Sequence, residues 1–327
     1  MPRHHLVPQM YLRRFADSRE HLIIVSRENI DVWHHSTVNN ACNEVGFYTI
    51  PIDDLEAQAR AGHDPEQVES VFAAVEGASS KYITEILEGA FPPSLEARYR
   101  LSMFIALQIT RGWSFRRDLK AITNLTAPDF VAMQATPDRV RAALRRSGMP
   151  YEDTDVEQMI ARLTGPNGPR PILRQGHYVQ YMLQYAIKTV MPSLWGRIWR
   201  LLDFGQPVLL TSDEPVAILQ PEGKPAGPGN SPAIWLPLDR QRALALTTRG
   251  EEQVVKSGLT RARRINSIVA SQAERWIFHH PADAHLLDLD LGPRMEMVDE
   301  VVSVRQVDDT IRERHRIVKR PRGRLGA

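Results

Sequence analysis

One cysteine, Cys42, stands in 327 residues, so no disulfide closes within the chain and no zinc site can be built on several thiolates. A reducing compartment, the cytoplasm, is the expected setting. No stretch approaches the ~18 to 20 apolar residues of a membrane span. His4, His5, Gln9, Arg13 and Arg14 break up the apolar residues near the start, so no secretory leader and no membrane partner are expected. Charge of one sign is also lacking: 41 Lys plus Arg against 39 Asp plus Glu leave a net charge of +2, too little for a global field that steers the chain to nucleic acid. Nor is there a nucleotide-cofactor motif, since GPNGP and GPG lack the spacing and the lysine of a phosphate-cradling loop, and no HExxH ligand pair occurs.

What is present is a globular composition, 43% hydrophobic and 24% charged, enough for a sizeable core. HLIIVSRE from His21 and DVWHHSTV from Asp31 read as a β-hairpin turning near Asn29, and GFYTI from Gly46 as a third short strand. Asp64, Pro65 and Gln67 form a helix start, and Val68, Val71, Phe72, Val75, Ser79, Tyr82, Ile83 and Ile86 carry helical spacing to about Leu87. A second helix is predicted from Ser94 to Phe115. Residues 121–172 are polar and turn-rich and read as a helical insertion. Apolar helices follow in 176–205, with a break at Met191–Pro192, then three strands in QPVLLTSDEPVAIL, AIWLPLD and RALALTT, and a last helix from Thr260 to Phe278. Strands and helices do not alternate regularly. This order predicts an α+β fold, with a mostly antiparallel sheet formed by N-terminal and C-terminal strands and packed with a helical middle section. One domain is expected over 1–310. The segment 311–327, crowded with arginine, reads as a basic C-terminal tail, either solvated or in contact with nucleic acid.

Polar residues on apolar faces are the candidate site. Phe104, Gln108, Arg111 and Phe115 step by helical intervals, so an amide and a guanidinium lie between two phenylalanines. A buried guanidinium must be paired, and the partner is either a carboxylate of the protein or an anionic ligand. In PVLLTSDEP a hydrophobic strand delivers Asp213 to a proline turn, where it either reaches a ligand or closes its own backbone turn. Asn266 shares the predicted helix face of Val269, Ala273 and Trp276, and it contacts either a ligand or a loop carbonyl. Within HHLVPQMYLRRF, His5 beside Gln9 is either a structural imidazole or an acid–base group. Cys42, His34, His35, His279 and His280 are read as a small buried residue and surface histidines.

HHLVPQMYLRRFAD, the tyrosine of GFYTI, FIALQITR, TSDEPV, WLPLD and INSIVASQAERWIF fall in an order that resembles the bacterial family known as domain of unknown function 4238. The resemblance spans nearly the whole chain. It implies motif positions at His5, Val7, Pro8, Gln9, Tyr11, Leu12 and Phe15, at Gln108 and Arg111, at Ser212, Asp213 and Pro215, and at Asn266; Glu214 stands where many members carry asparagine. It implies no reaction. The expectation drawn from the residues is a hydrolase or transferase acting on a phosphate-bearing or other anionic substrate, such as a nucleotide or nucleic acid. Arg111 would hold the anion, Asp213 or His5 would act as general base or bind a divalent ion, and Gln9, Gln108 and Asn266 would orient the substrate. The alternatives are a non-catalytic ligand-binding or sensor protein, and an interaction module in which the polar cluster is only structural.

Overall fold

A computed structural model describes residues 2–54, 64, 66–148, 150–165, 167–170, 172–222, 227–289, 291–307 and 310–321. In chain order, β1 (Arg3–His5), α1 (Gln9–Leu12), β2 (His21–Ser26), β3 (Trp33–Thr37) and β4 (Asn43–Val45) come first. The helices α2 (Gln67–Leu87), α3 (Leu95–Thr110), α4 (Trp113–Gln134), α5 (Pro137–Ser147), α6 (Asp153–Thr164) and α7 (Gln175–Tyr185) follow, and a π-helical stretch, Ala186–Val190, joins α7 to α8 (Met191–Trp195). The strands β5 (Ile198–Asp203), β6 (Thr211–Ser212), β7 (Ala217–Ile218), β8 (Ala233–Pro237), β9 (Arg242–Thr247) and β10 (Gln253–Lys256) precede α9 (Leu259–Gln272), β11 (Trp276–His279), β12 (Met295–Val307) and β13 (Thr310–Pro321).

The fold is α+β. The chain divides into two units, the first holding Met1–Arg116 and Gln175–Arg294, the second Arg117–Arg174 and Met295–Arg320. In the first, a four-stranded antiparallel sheet of order β3-β2-β11-β6 joins early and late strands. A five-stranded sheet of order β10-β5-β9-β8-β7 is antiparallel except for the β10–β5 pair. Helix α9 serves both sheets: Ala262, Ile265 and Val269 recur at helical spacing and are buried with Ile23 and Val25 of β2 and Trp235 and Ala245 of the larger sheet. Each such large aliphatic side chain contributes roughly 1.5–3 kcal/mol. In the second unit Val140 and Leu144 of α5 pack against Val156 of α6, inside the stretch read as an insertion, and β12 pairs with β13. No helix among the described residues is long and apolar enough to cross a membrane.

Several predicted elements end early, each time because a side chain has taken the backbone groups that would extend them. GFYTI forms no strand: the Tyr48 N–H donates to His4 Nδ1 at 2.8 Å and the Phe47 carbonyl accepts from Arg116 at 2.9 Å. The helix expected from Ser94 to Phe115 stops at Thr110. Tyr48 Oη donates to the Arg111 carbonyl at 2.8 Å, and Glu214 accepts the Ser114 N–H at 3.0 Å, so the ladder is cut and α4 starts afresh at Trp113. Phe115 therefore does not share the face of Gln108 and Arg111. The last helix ends at Gln272 and Trp276 belongs to β11. Asp64 accepts the Glu66 N–H at 2.9 Å instead of capping, and α2 begins at Gln67; Pro65 lies outside the described residues. RIWRLLD is the strand β5, not the end of a helix, and the π-helical stretch before Met191 carries α7 into α8 where a break was expected. Of the segment 311–327, residues up to Pro321 form β13, and 322–327 lie outside the described residues.

Candidate functional site

The segment from His4 to Phe15 is built into the core. Leu6, Val7, Tyr11, Leu12 and Phe15 are buried, and Tyr11 Oη donates to the Pro237 carbonyl at 2.7 Å while meeting Thr211 Oγ1 at 3.0 Å. Strand β1 pairs with β4, so His5 faces Asn43 in register, and the Leu6 N–H donates to the Cys42 carbonyl at 2.9 Å. The His5 Nε2 lies 3.1 Å from the Asn39 carbonyl and 3.3 Å from the Gln9 amide nitrogen. Burial lowers the His5 pKa below its ordinary value, which leaves the ring neutral at pH 7. Gln9 accepts from Arg13 at 3.0 Å and donates to Asn39 Oδ1 at 3.3 Å. His5 and Gln9 thus hold the 39–43 turn.

Arg111 finds its partners inside the protein. Its Nη1 donates to Glu76 Oε1 at 2.7 Å, its Nη2 to the His5 carbonyl, and the guanidinium lies 4.6 Å from the centre of the Phe72 ring. With 1% exposure it presents nothing to a ligand. Gln108 is also buried, and neither of its amide atoms meets a hydrogen-bond partner among the described residues. An unsatisfied buried amide costs about 1–3 kcal/mol. Gln108→Leu is therefore expected to leave stability unchanged or raise it by about 1 kcal/mol; a drop of more than 1 kcal/mol in chemical unfolding would show that Gln108 holds something polar.

The turn after β6 is the structural centre of the site. Asp213 accepts three consecutive backbone N–H groups, Glu274 at 2.9 Å on Oδ1 and Arg275 at 2.7 Å and Trp276 at 3.0 Å on Oδ2. Its oxygens build the bend between α9 and β11 and are not free for a metal or a proton relay. Among the described residues no group of three His, Cys, Asp or Glu side chains could hold a metal ion. Glu214 turns the other way and caps α4 through Ser114, and a Cβ at Gly112 would meet the Glu214 carboxylate and push it from this position. Burial pushes Asp213 up to about 7 against the pull of its three N–H donors, and burial with the neighbouring Asp213 charge pushes Glu214 up to about 8.

Both carboxyls bind more protons folded than unfolded between their ordinary and raised values. Their contribution to stability is full below pH ~4 and is lost as the pH rises through about 7 and 8. Glu214→Gln keeps an acceptor for Ser114 but removes one titration. The variant is expected to gain on the wild type by roughly 2–4 kcal/mol between pH 5 and 9 in urea unfolding; parallel pH profiles would contradict this.

These clamps surround a cleft of about 160 Å³. One wall is Arg275 and Trp276, set by Asp213; another is Trp113, at the start of the helix that Glu214 caps; a third is Asn40, Cys42, Asn43 and Glu44, held by the N-terminal segment. His34 and Ile24 complete the lining. The Arg275 guanidinium stacks 4.2 Å from the centre of the Trp113 ring, and its Nη1 lies 3.5 Å from Glu44 Oε2. Cys42 has φ 51°, a left-handed backbone uncommon for a residue with a Cβ, and burial raises its thiol pKa well above the ordinary value. It is a wall residue and not a nucleophile.

Of the six residues singled out from the sequence, His5, Gln9 and Arg111 are joined through the His5 ring and carbonyl, Gln108 lies in the last turn of the helix that Arg111 caps, Asp213 braces the cleft, and none of these five lines it. Asn266 stands apart: its Oδ1 accepts the Leu210 N–H at 3.2 Å and its Nδ2 donates to the Val208 carbonyl at 2.8 Å. The cleft residues carried little signal. His34 reads as one of two exposed strand histidines, Trp276 as part of a helix face it does not occupy, and Arg275 only as a residue inside the predicted Thr260–Phe278 helix. His279, read as a surface residue, is buried at 1% exposure with its Nδ1 2.7 Å from the His280 carbonyl.

Fold and site together define an α+β protein with a small cleft walled by arginine, tryptophan and amides. The family model described as Protein of unknown function (DUF4238) matches residues 3–283, and the chain belongs to that family. No curated protein and no solved structure matches it.

Proposed function

We propose that the protein binds a small anionic ligand, a phosphate-bearing molecule such as a nucleotide, in the cleft between Trp113, Arg275 and Glu44. The observation that carries this reading is the stacking of Arg275 on Trp113 at the cleft wall. A guanidinium whose face is covered by an indole is fixed with its N–H edge in advance of binding, and a planar or tetrahedral anion would take that edge in competition with Glu44, 3.5 Å from Nη1. Asn40 and Asn43 add uncharged donors and acceptors. At about 160 Å³ the cleft is smaller than the ~300 Å³ at which drug-sized ligand sites begin, so it takes a phosphate and its neighbouring atoms while the rest of a larger ligand stays outside. The single cysteine supports a reducing compartment, the cytoplasm, as the setting of this activity.

Binding without turnover is favoured because the groups first assigned to chemistry are spent on structure: Arg111 on Glu76, Asp213 on three backbone N–H groups. Hydrolysis or transfer keeps one supporting observation, that Glu44 and His34 line the same cleft as Arg275. Tryptophan fluorescence titrated with inorganic phosphate and with nucleoside monophosphates tests the two readings. Arg275→Met is expected to weaken binding at least about tenfold, the ~1.4 kcal/mol of one charged hydrogen bond. Glu44→Gln is expected to tighten it, since the competing carboxylate is gone. Phosphate release from a nucleotide that disappears in Glu44→Gln while affinity holds would install the hydrolase reading instead.

A further inference from the structure

A second cavity, of about 240 Å³, lies over the first two turns of α9, and no residue lines both it and the Arg275 cleft. Leu259, Ala262, Arg263 and Asn266 enter it at helical intervals. Facing them are Val208, before β6, and Leu286, Asp288 and Leu289, in and after the 3-10 turn Ala284–Leu287. The apolar part of the lining is wholly aliphatic. Its polar lining holds one guanidinium, Arg263, and one carboxylate, Asp288, neither of them in an ion pair with a described residue, together with His285 and Gln206. Asn266, at 2% exposure, spends one amide hydrogen and one lone pair on the 208–210 backbone and keeps one of each.

We infer that this cavity is a binding site for a single free α-amino acid with an aliphatic side chain. Three features select that class. Opposite charges in one lining match a zwitterion: the ligand carboxylate pairs with the Arg263 fork and its ammonium with Asp288. The leucine and valine walls take a branched apolar side chain. The volume admits a molecule of about that size and is below the ~300 Å³ at which drug-sized ligand sites begin. A fatty acid would leave Asp288 facing a second carboxylate.

Isothermal titration calorimetry of the full chain with L-leucine tests the assignment. One site per chain is expected, with isocaproate, which lacks the ammonium, and isopentylamine, which lacks the carboxylate, each at least about tenfold weaker. Arg263→Ala and Asp288→Ala, both at exposed positions, should each weaken leucine binding by at least about tenfold at unchanged melting temperature. Arg275→Met should leave leucine binding as it is, which separates this site from the anion cleft. No heat of binding with leucine, isocaproate bound as tightly as leucine, or leucine binding that survives both substitutions or is lost in Arg275→Met overturns the inference.

Discussion

Asp213→Ala is expected to destabilise the protein by about 3 kcal/mol, because three part-buried backbone N–H groups lose their acceptor and each orphaned donor costs about 1–3 kcal/mol, the lower end applying where water can reach, offset in part by the relief of a buried carboxyl. Asp213→Asn should cost less, about 1–2 kcal/mol. Its amide oxygen can take the Oδ2 position and keep Arg275 and Trp276, while its nitrogen then faces the Glu274 N–H, donor against donor. The order alanine worse than asparagine follows only if the carboxylate acts as a backbone clamp. Both variants should also bind phosphate weakly in their folded fraction, since the bend that presents Arg275 is loosened. Denaturant unfolding reads the first effect, and an alanine variant within 1 kcal/mol of the wild type would contradict it.

The second large effect belongs to Arg111. Breaking a buried ion pair from one side costs about 3–5 kcal/mol, because the other charge is left without a partner. Glu76 is 23% exposed at its side chain and recovers some water, so the lower part of that range is expected for Arg111→Ala, near 3 kcal/mol. Arg111→Lys should fall between that and the wild type: one ammonium cannot reach both Glu76 and the His5 carbonyl in the directions of the two guanidinium nitrogens. Pairing the substitution with Glu76→Gln should recover part of the loss, and full additivity of the two would mean that they do not interact.

The fold class was legible because periodicity reports burial directly. The β2–β3 hairpin and the long face of α2 follow from alternation and helical spacing in single windows of sequence. Boundaries were lost where one side chain from far away took over the backbone. Asp213 ends α9 from some sixty residues upstream, Glu214 caps α4 from a hundred residues downstream, and Tyr48 seals the end of α3. No local window contains those partners. The same reason explains the site. His5, Gln9, Arg111, Asp213 and Asn266 stood out because polar groups on apolar faces are costly, and that cost identifies residues which must be satisfied, whether by a ligand or by the protein. Among the described residues the protein pairs the Asp213 carboxyl, the Asn266 amide and both Nη groups of Arg111, while Arg111 Nε and the Gln108 amide meet no partner. The cleft is lined by residues such as His34, Glu44 and Arg275, which look like ordinary surface positions until the clamps bring them together.

Phosphate affinity measured side by side in Arg275→Met and Arg111→Lys, each corrected for its folded fraction, tests the central claim most directly. The account predicts that Arg275→Met melts within a few degrees of the wild type and loses at least about tenfold in affinity, while Arg111→Lys melts markedly lower and binds as the wild type does. Full affinity in Arg275→Met together with lost affinity in a well-folded Arg111→Lys would contradict it and return the anion site to Arg111.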